Sequence, residues 1–181
     1  SPIYRSPDGH ICECCHPGVT IGPKGEIAAM WRNWLGGSRD MWWSVSTDAG
    51  KTFAAAQKLG TGTWKLKGCP MDGGGIAFDG SGALNTVWRR ESAVFASGTD
   101  PAESQLADHA AQPVVAADGA KIFTAWEQAG GIQLKAGALP PRRIAAGRAP
   151  AIARSTKSGG VALAWEGEAD GKPTLFCEAF D

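Results

Sequence analysis

Short runs of alternating apolar and polar residues, each broken by a glycine-bearing turn, extend along most of the chain. Val19-Thr20-Ile21 turns at Pro23-Lys24-Gly25 into Ile27 to Trp31. The same strand–turn–strand pattern returns three times, as Gly75 to Trp88, Gln112 to Trp126 and Ala149 to Trp165. A tryptophan (Trp31, Trp88, Trp126, Trp165) closes the second strand of every unit. Third strands are expected at Asp40 to Ser46, Ser92 to Ser97, Gly131 to Ala136 and Pro173 to Phe180. Fourth strands are expected at Ala56 to Leu59, Ser104 to Ala107 and Arg143 to Ala146, and a lone strand at Ile3-Tyr4-Arg5. No segment sustains a helical period, so the chain reads as all-β.

The repeat units run over 10–59, 69–107, 109–146 and 148–181, within one domain spanning 1–181. A period of roughly 40 residues with four short antiparallel strands per unit marks a β-propeller of four-stranded blades. One such sheet cannot cover both of its own faces. Neighbours stack and bury them, with a large aromatic wedged at each contact. About four blades are expected. The last unit is one strand short, so Ile3 to Arg5 either closes the ring by pairing the termini or ends an earlier blade of a longer propeller.

Composition narrows the function classes. Eighteen Lys and Arg balance eighteen Asp and Glu, so no global field draws nucleic acid to the chain. No apolar run is long enough to span a membrane as a helix. Five cysteines point to an oxidising compartment, so a periplasmic or secreted protein is expected. Their odd number leaves at least one thiol free, on a metal or paired between chains.

Ser46-Thr47-Asp48-Ala49-Gly50-Lys51-Thr52-Phe53 matches the pattern S-x-D-x-G-x-T-[FW]. In this motif and its four-fold repeat the chain resembles the sialidase-like BNR/Asp-box propellers. Asp48 is expected to accept backbone N–H groups across a hairpin, with Gly50 at positive φ and Phe53 between sheets. Ser97 to Asp100 is at best a remnant of the motif. The resemblance implies that these boxes are structural and lie away from the substrate face. It also implies a six-bladed parent, so this chain is either a smaller ring or part of a larger one, completed by a missing segment or a second chain. The family's Arg-Ile-Pro motif is missing, and the only tyrosine, Tyr4, lies early where the family's nucleophile lies late. Sialidase catalysis is therefore not expected of this chain alone.

Propeller connectivity sends the loops before each unit, and those after each repeated tryptophan, to one face. That face would gather Cys12, Cys14, Cys15 and His16 with Cys69, Met71, Asp72 and His109. Thiolate, imidazole and thioether suit copper(I) or zinc, so a soft-metal site is one reading. A disulfide from Cys12, Cys14 or Cys15 to Cys69 is another, and a catalytic thiol near His16 a third. Adjacent Cys14 and Cys15 are expected to have different fates, because a bond between them strains the intervening peptide. Cys177 is expected to be a core residue or an unpaired thiol. The same mouth would carry Arg32, Arg89, Glu127 and Glu166, the candidates for a glycoside hydrolase or carbohydrate-binding role. Trp34 and Trp64, in expected loops, are the first places to seek sugar stacking. The leading expectation is a non-catalytic binding or scaffold module whose cysteine-bearing face holds a metal or a partner.

Overall fold

The computed structural model describes residues 1–98, 102–157 and 159–181. Fifteen strands form four antiparallel sheets in chain order. The first holds β1 (Gly18–Ile21), β2 (Ile27–Arg32), β3 (Met41–Ser46) and β4 (Gln57–Lys58). The second holds β5 (Gly75–Phe78), β6 (Leu84–Arg90), β7 (Ala93–Ser97) and β8 (Ser104–Ala107). In the third are β9 (Ala110–Asp118), β10 (Lys121–Gln128), β11 (Gly131–Ala136) and β12 (Arg142–Ala146). The fourth has three strands, β13 (Arg148–Arg154), β14 (Val161–Ala169) and β15 (Lys172–Phe180). Strands are neighbours in the order in which they occur, as tight hairpins dictate.

Each sheet packs on the one before it, and its first strand makes the approach: β5 against β1 and β2, β9 against β5 and β6, β13 against β9 and β10. The repeated tryptophans explain the stacking. Trp88 joins Met30, Met41 and Trp43 between the first two sheets, and Trp165 joins Phe123 and Ile132 between the last two. Trp126 packs with Val94 of the second sheet. Burying each such side chain stabilises the fold by roughly 1.5–3 kcal/mol. Trp31 has no sheet before it. Tyr4 covers it instead, with ring centroids 5.0 Å apart, and takes a hydrogen bond on its hydroxyl from Asn33 Nδ2 at 2.8 Å.

Several strand expectations change: third strands expected from Asp40 and Ser92 begin at Met41 and Ala93, and the fourth strand expected from Arg143 begins at Arg142. Ile3 to Arg5 is not a strand, because Tyr4 packs by its ring rather than pairing by its backbone. The fourth strand of the first sheet shrinks to Gln57–Lys58, and the last strand begins one residue earlier, at Lys172. Among the described residues no sheet closes on itself, and the N-terminal segment adds no strand to the fourth sheet. Thr99 and Asp100, half of the expected motif remnant, lie outside the described residues.

The Ser46 to Phe53 hairpin is held by its own polar side chains. Asp48 accepts from the Thr52 amide at 2.9 Å, the Thr52 hydroxyl at 2.6 Å and the Ser46 hydroxyl at 2.7 Å. Ser46 Oγ in turn accepts from the Gly50 amide at 2.9 Å, and Gly50 takes a φ of 81°. Phe53 is half-buried. The Thr52 bonds above all hold the Asp48 carboxyl down at about 2. A depressed carboxyl supports the fold above its unfolded pKa of about 4 and stops doing so as pH falls through its folded value. Thermal melts of wild type and Asp48→Asn should therefore differ near neutrality and converge between about pH 4 and about pH 2. A constant gap over that range would show that the carboxylate charge is irrelevant to the hairpin.

Candidate functional site

The segment Cys12-Glu13-Cys14-Cys15 is a single tight turn. The Cys15 amide donates to the Cys12 carbonyl at 3.3 Å, and the Cys12 amide to the Arg32 carbonyl at 3.0 Å. A four-residue turn puts its first and last side chains on one side, so Cys12 and Cys15 are buried while Cys14 is exposed. Cys14 reaches the loop before β5 and is disulfide-bonded to Cys69, 55 residues away. Adjacent Cys14 and Cys15 do have different fates. Cys12, Cys15 and Cys177 are free, and Cys177 lies exposed on β15, not in a core.

The loops meet closely because glycine permits it. A Cβ on Gly73 would fall 2.0 Å from the His16 carbonyl oxygen, so no side chain fits there. Met71 adopts a φ of 51°, which turns the loop so that its amide faces Cys69 Sγ at 3.4 Å. Gly73→Ala should push the two loops apart, and a non-reducing peptide map should then show less of the Cys14–Cys69 linkage than in wild type. Unchanged linkage would mean that the approach is not set at Gly73.

All four sulfurs, of Cys12, Cys14, Cys15 and Cys69, lie within 4.8 Å of one another. N–H donors reach three of them. Arg39 Nη1 donates to Cys12 Sγ at 3.2 Å, the Asp72 amide to Cys15 and the Met71 amide to Cys69. Burial, reinforced by the hydrogen bond with Cys12, raises the Cys15 thiol to about 11. Around the sulfurs stand the buried Arg32 and Arg39 and the mostly buried Arg89, which faces the buried carboxylate of Asp72 at 3.6 Å. Asp72 also accepts from the Gln112 amide at 3.0 Å, and its Oδ1 is buried without a hydrogen-bond partner. Cationic groups outnumber the anionic one in this pocket. Such a balance sets positive charge around the sulfurs, while burial works against charge on Cys15 itself.

Arg32 is 1% exposed and ties two loops to the end of β6. It donates to the carbonyls of Asp72 at 3.0 Å, Arg39 at 2.8 Å and Arg89 at 2.9 Å. Burial lowers its pKa, opposed chiefly by Asp72. Trp64, far from being an open stacking platform, is 7% exposed, with Arg32 and Arg89 each 5.3 Å from its ring. Its indole packs the site from behind because two guanidinium faces need a desolvated partner. Trp34 is half-buried, between the His10 ring at 5.0 Å and the Arg39 guanidinium at 4.4 Å.

The remaining candidates are not among the four clustered sulfur ligands. His16 is exposed, with its ring against Gly73; Met71 is 68% exposed. His109 is exposed and faces Asp108 at 3.7 Å. With Arg89, Glu127 and Arg148 it borders a groove of about 460 Å³, of mixed polar and apolar lining, shared by the second, third and fourth sheets. Glu127 accepts the Ala149 amide at 2.6 Å, and Glu166 pairs with Arg148 at 3.0 Å. Sequence reasoning missed Arg39 and Gln112. Nothing marks Arg39 in the sequence, since it follows a glycine loop and reaches Cys12 only because β2 and β3 pair.

Compared with known proteins, the chain matches no family model and no curated sequence. Among the described residues no helix is long and apolar enough to cross a membrane.

Proposed function

We propose that this chain is a non-catalytic, sialidase-like propeller module, exported to the periplasm or the cell exterior, whose cysteine pocket binds a soft metal ion when the Cys14–Cys69 bridge is reduced. The gathering of four sulfurs within 4.8 Å carries the reading. A tetrahedral zinc site with Zn–S of about 2.3 Å sets its sulfurs about 3.8 Å apart, so the unbonded pairs need only a small adjustment once reduction lets Cys14 and Cys69 separate by about 2 Å. Hydrogen bonds to the sulfurs are what thiolate centres use to fix ligand orientation and tune charge. The neighbouring guanidinium groups offset the net negative charge of four thiolates on a divalent or monovalent ion. Cys12, Cys14, Cys15 and Cys69 supply the ligands, and zinc or copper(I) fits them.

The propeller reading is supported by successive stacking and by a cavity of about 320 Å³ that residues of β1, β5, β9 and β13 border together, as strands around one axis would. At the two ends, Val19 and Ile21 of β1 and Leu175 of β15 are 68–74% exposed, which fits a further sheet or a second chain continuing the stack. A carbohydrate ligand in the groove of Arg89, His109, Glu127 and Arg148 is the second reading, favoured by the charged side chains that border it.

Cobalt(II) titration tests the metal reading. Reduced wild type should show the intense thiolate charge-transfer and tetrahedral d–d bands of a four-sulfur site, and zinc should displace them at one ion per chain. Cys12→Ser and Cys15→Ser should each weaken binding, while Cys177→Ser leaves it unchanged. Absence of these bands in the reduced protein would remove the metal reading.

A further inference from the structure

The disulfide lies beside a sulfur able to replace one of its partners. Cys12 Sγ sits 3.9 Å from Cys14 Sγ, and the buried guanidinium of Arg39 donates to that same Cys12 sulfur at 3.2 Å. At the other end of the bond Cys69 is exposed, and its sulfur receives the Met71 amide at 3.4 Å. Thiol–disulfide exchange needs an attacking thiolate, an accessible disulfide sulfur and a leaving sulfur that tolerates negative charge. The pocket sets a free cysteine sulfur, the disulfide and an exposed leaving sulfur side by side.

We propose that the cluster is a thiol–disulfide exchange site with Cys12 as its internal nucleophile. Cys12 Sγ, as thiolate, attacks Cys14 Sγ. The Cys12–Cys14 bond forms as the Cys14–Cys69 bond breaks, and the electron pair leaves on Cys69 Sγ. The proton given up by Cys12 is returned to Cys69 through solvent. One disulfide and two thiols stand on each side of the step, so no oxidant or reductant is consumed.

The product differs from the reactant in what faces water. Before exchange both free sulfurs of the pocket, Cys12 and Cys15, are buried; afterwards Cys69 is an exposed thiol. The clasp between the loops before β1 and β5 opens in the same step. An exposed Cys69 thiolate is then placed to attack the disulfide of a partner peptide or a small disulfide molecule, giving a mixed disulfide at Cys69. Cys15, held by the Asp72 amide, stays a thiol throughout.

The proposal stands apart from the metal reading, because exchange requires no ion, and its test is run in chelator. Cleavage after Arg5, Lys24, Lys67 and Arg89 places Cys12, Cys14 and Cys15 in one peptide, 6–24, and Cys69 in another, 68–89. Full-length protein purified without reductant is held folded with iodoacetamide at about pH 8, near the ordinary thiol range. It is then quenched in acid, digested and mapped by mass spectrometry. The expected result is alkylated Cys69 in 68–89, accumulating together with a Cys12–Cys14 bond inside 6–24. Cys12→Ser should slow Cys69 labelling on the order of tenfold or more, and Cys15→Ser should not. Wild type in which the two peptides stay linked and Cys69 stays unlabelled overturns the proposal, as does Cys12→Ser that labels at the wild-type rate. The wild-type map decides by itself if Cys12→Ser fails to fold.

Discussion

Replacing Arg32 by alanine is expected to lower the melting temperature more than any other single change to the charged residues. The guanidinium is 1% exposed and donates to three carbonyls, two from separate loops and one from the end of β6. Its loss leaves those carbonyls without their donor and the buried Asp72 with one cation fewer. Breaking a buried charge network in this way costs roughly 3–5 kcal/mol. For a chain of this size that corresponds to a fall in Tm on the order of 10 °C. Arg32→Lys should recover only part of it, since one ammonium cannot serve three divergent acceptors. Arg154→Ala is the contrast. Its pair with Asp118 at 2.9 Å is more than half exposed on the arginine side and is worth about 0–1 kcal/mol after solvent screening. Equal melting shifts for the two alanine variants would refute the tethering role given to Arg32.

Opening the Cys14–Cys69 bond should have an effect of similar size by a different route. The bond closes a loop of 55 residues, and the chain-entropy relation gives about 4 kcal/mol for a loop of that length. Melting in chelator with a phosphine reductant should therefore fall well below melting of the oxidised protein. Cys14→Ala/Cys69→Ala should fall with it and no longer respond to the reductant. Zinc gives the complementary result. At a free concentration of 100 times its dissociation constant it should return about 2.7 kcal/mol to the reduced wild type and almost nothing to the double variant. If reduction in chelator leaves the melting curve unmoved, the bridge is not a clasp. If zinc rescues the double variant equally, Cys14 and Cys69 are not ligands.

The two results bear on one another. The same four sulfurs are offered to a bond, to an exchange reaction and to an ion, and the bonded state takes two of the four. The guanidinium groups of Arg32, Arg39 and Arg89 surround all of these states alike. On either proposal Arg32 would hold the Asp72 and Arg39 loops together while the sulfurs change partners.

Most strand positions were legible from alternation, because a half-buried strand must place apolar side chains on every second residue. β8 and β11 begin and end where the pattern says, and the four tryptophans fall on the second strand of each sheet. Ile3 to Arg5 misled for a specific reason. An apolar–aromatic pair reads as a strand, yet Tyr4 is apolar because it covers Trp31, not because its backbone pairs. Trp64 misled likewise. Its loop setting suggested exposure, and only the arrival of two arginines from other sheets buried it.

By itself, then, the sequence determined the all-β class, the four repeated units, the hairpin around Asp48 and the meeting of the Cys12–Cys15 turn with Cys69. The first three rest on local chemistry, namely side-chain periodicity, turn residues and the regular return of a tryptophan, and the last on the order in which repeated units place their connecting loops. Which cysteine bonds to Cys69 was decided by tertiary structure alone, since the turn buries Cys12 and Cys15 and leaves Cys14 facing the incoming loop. Tertiary structure also brought Arg39 to Cys12, Asp72 to Cys15 and Arg32 to three carbonyls. Those contacts join residues from different strands and sheets, and no spacing along the chain encodes how closely two packed sheets will bring them.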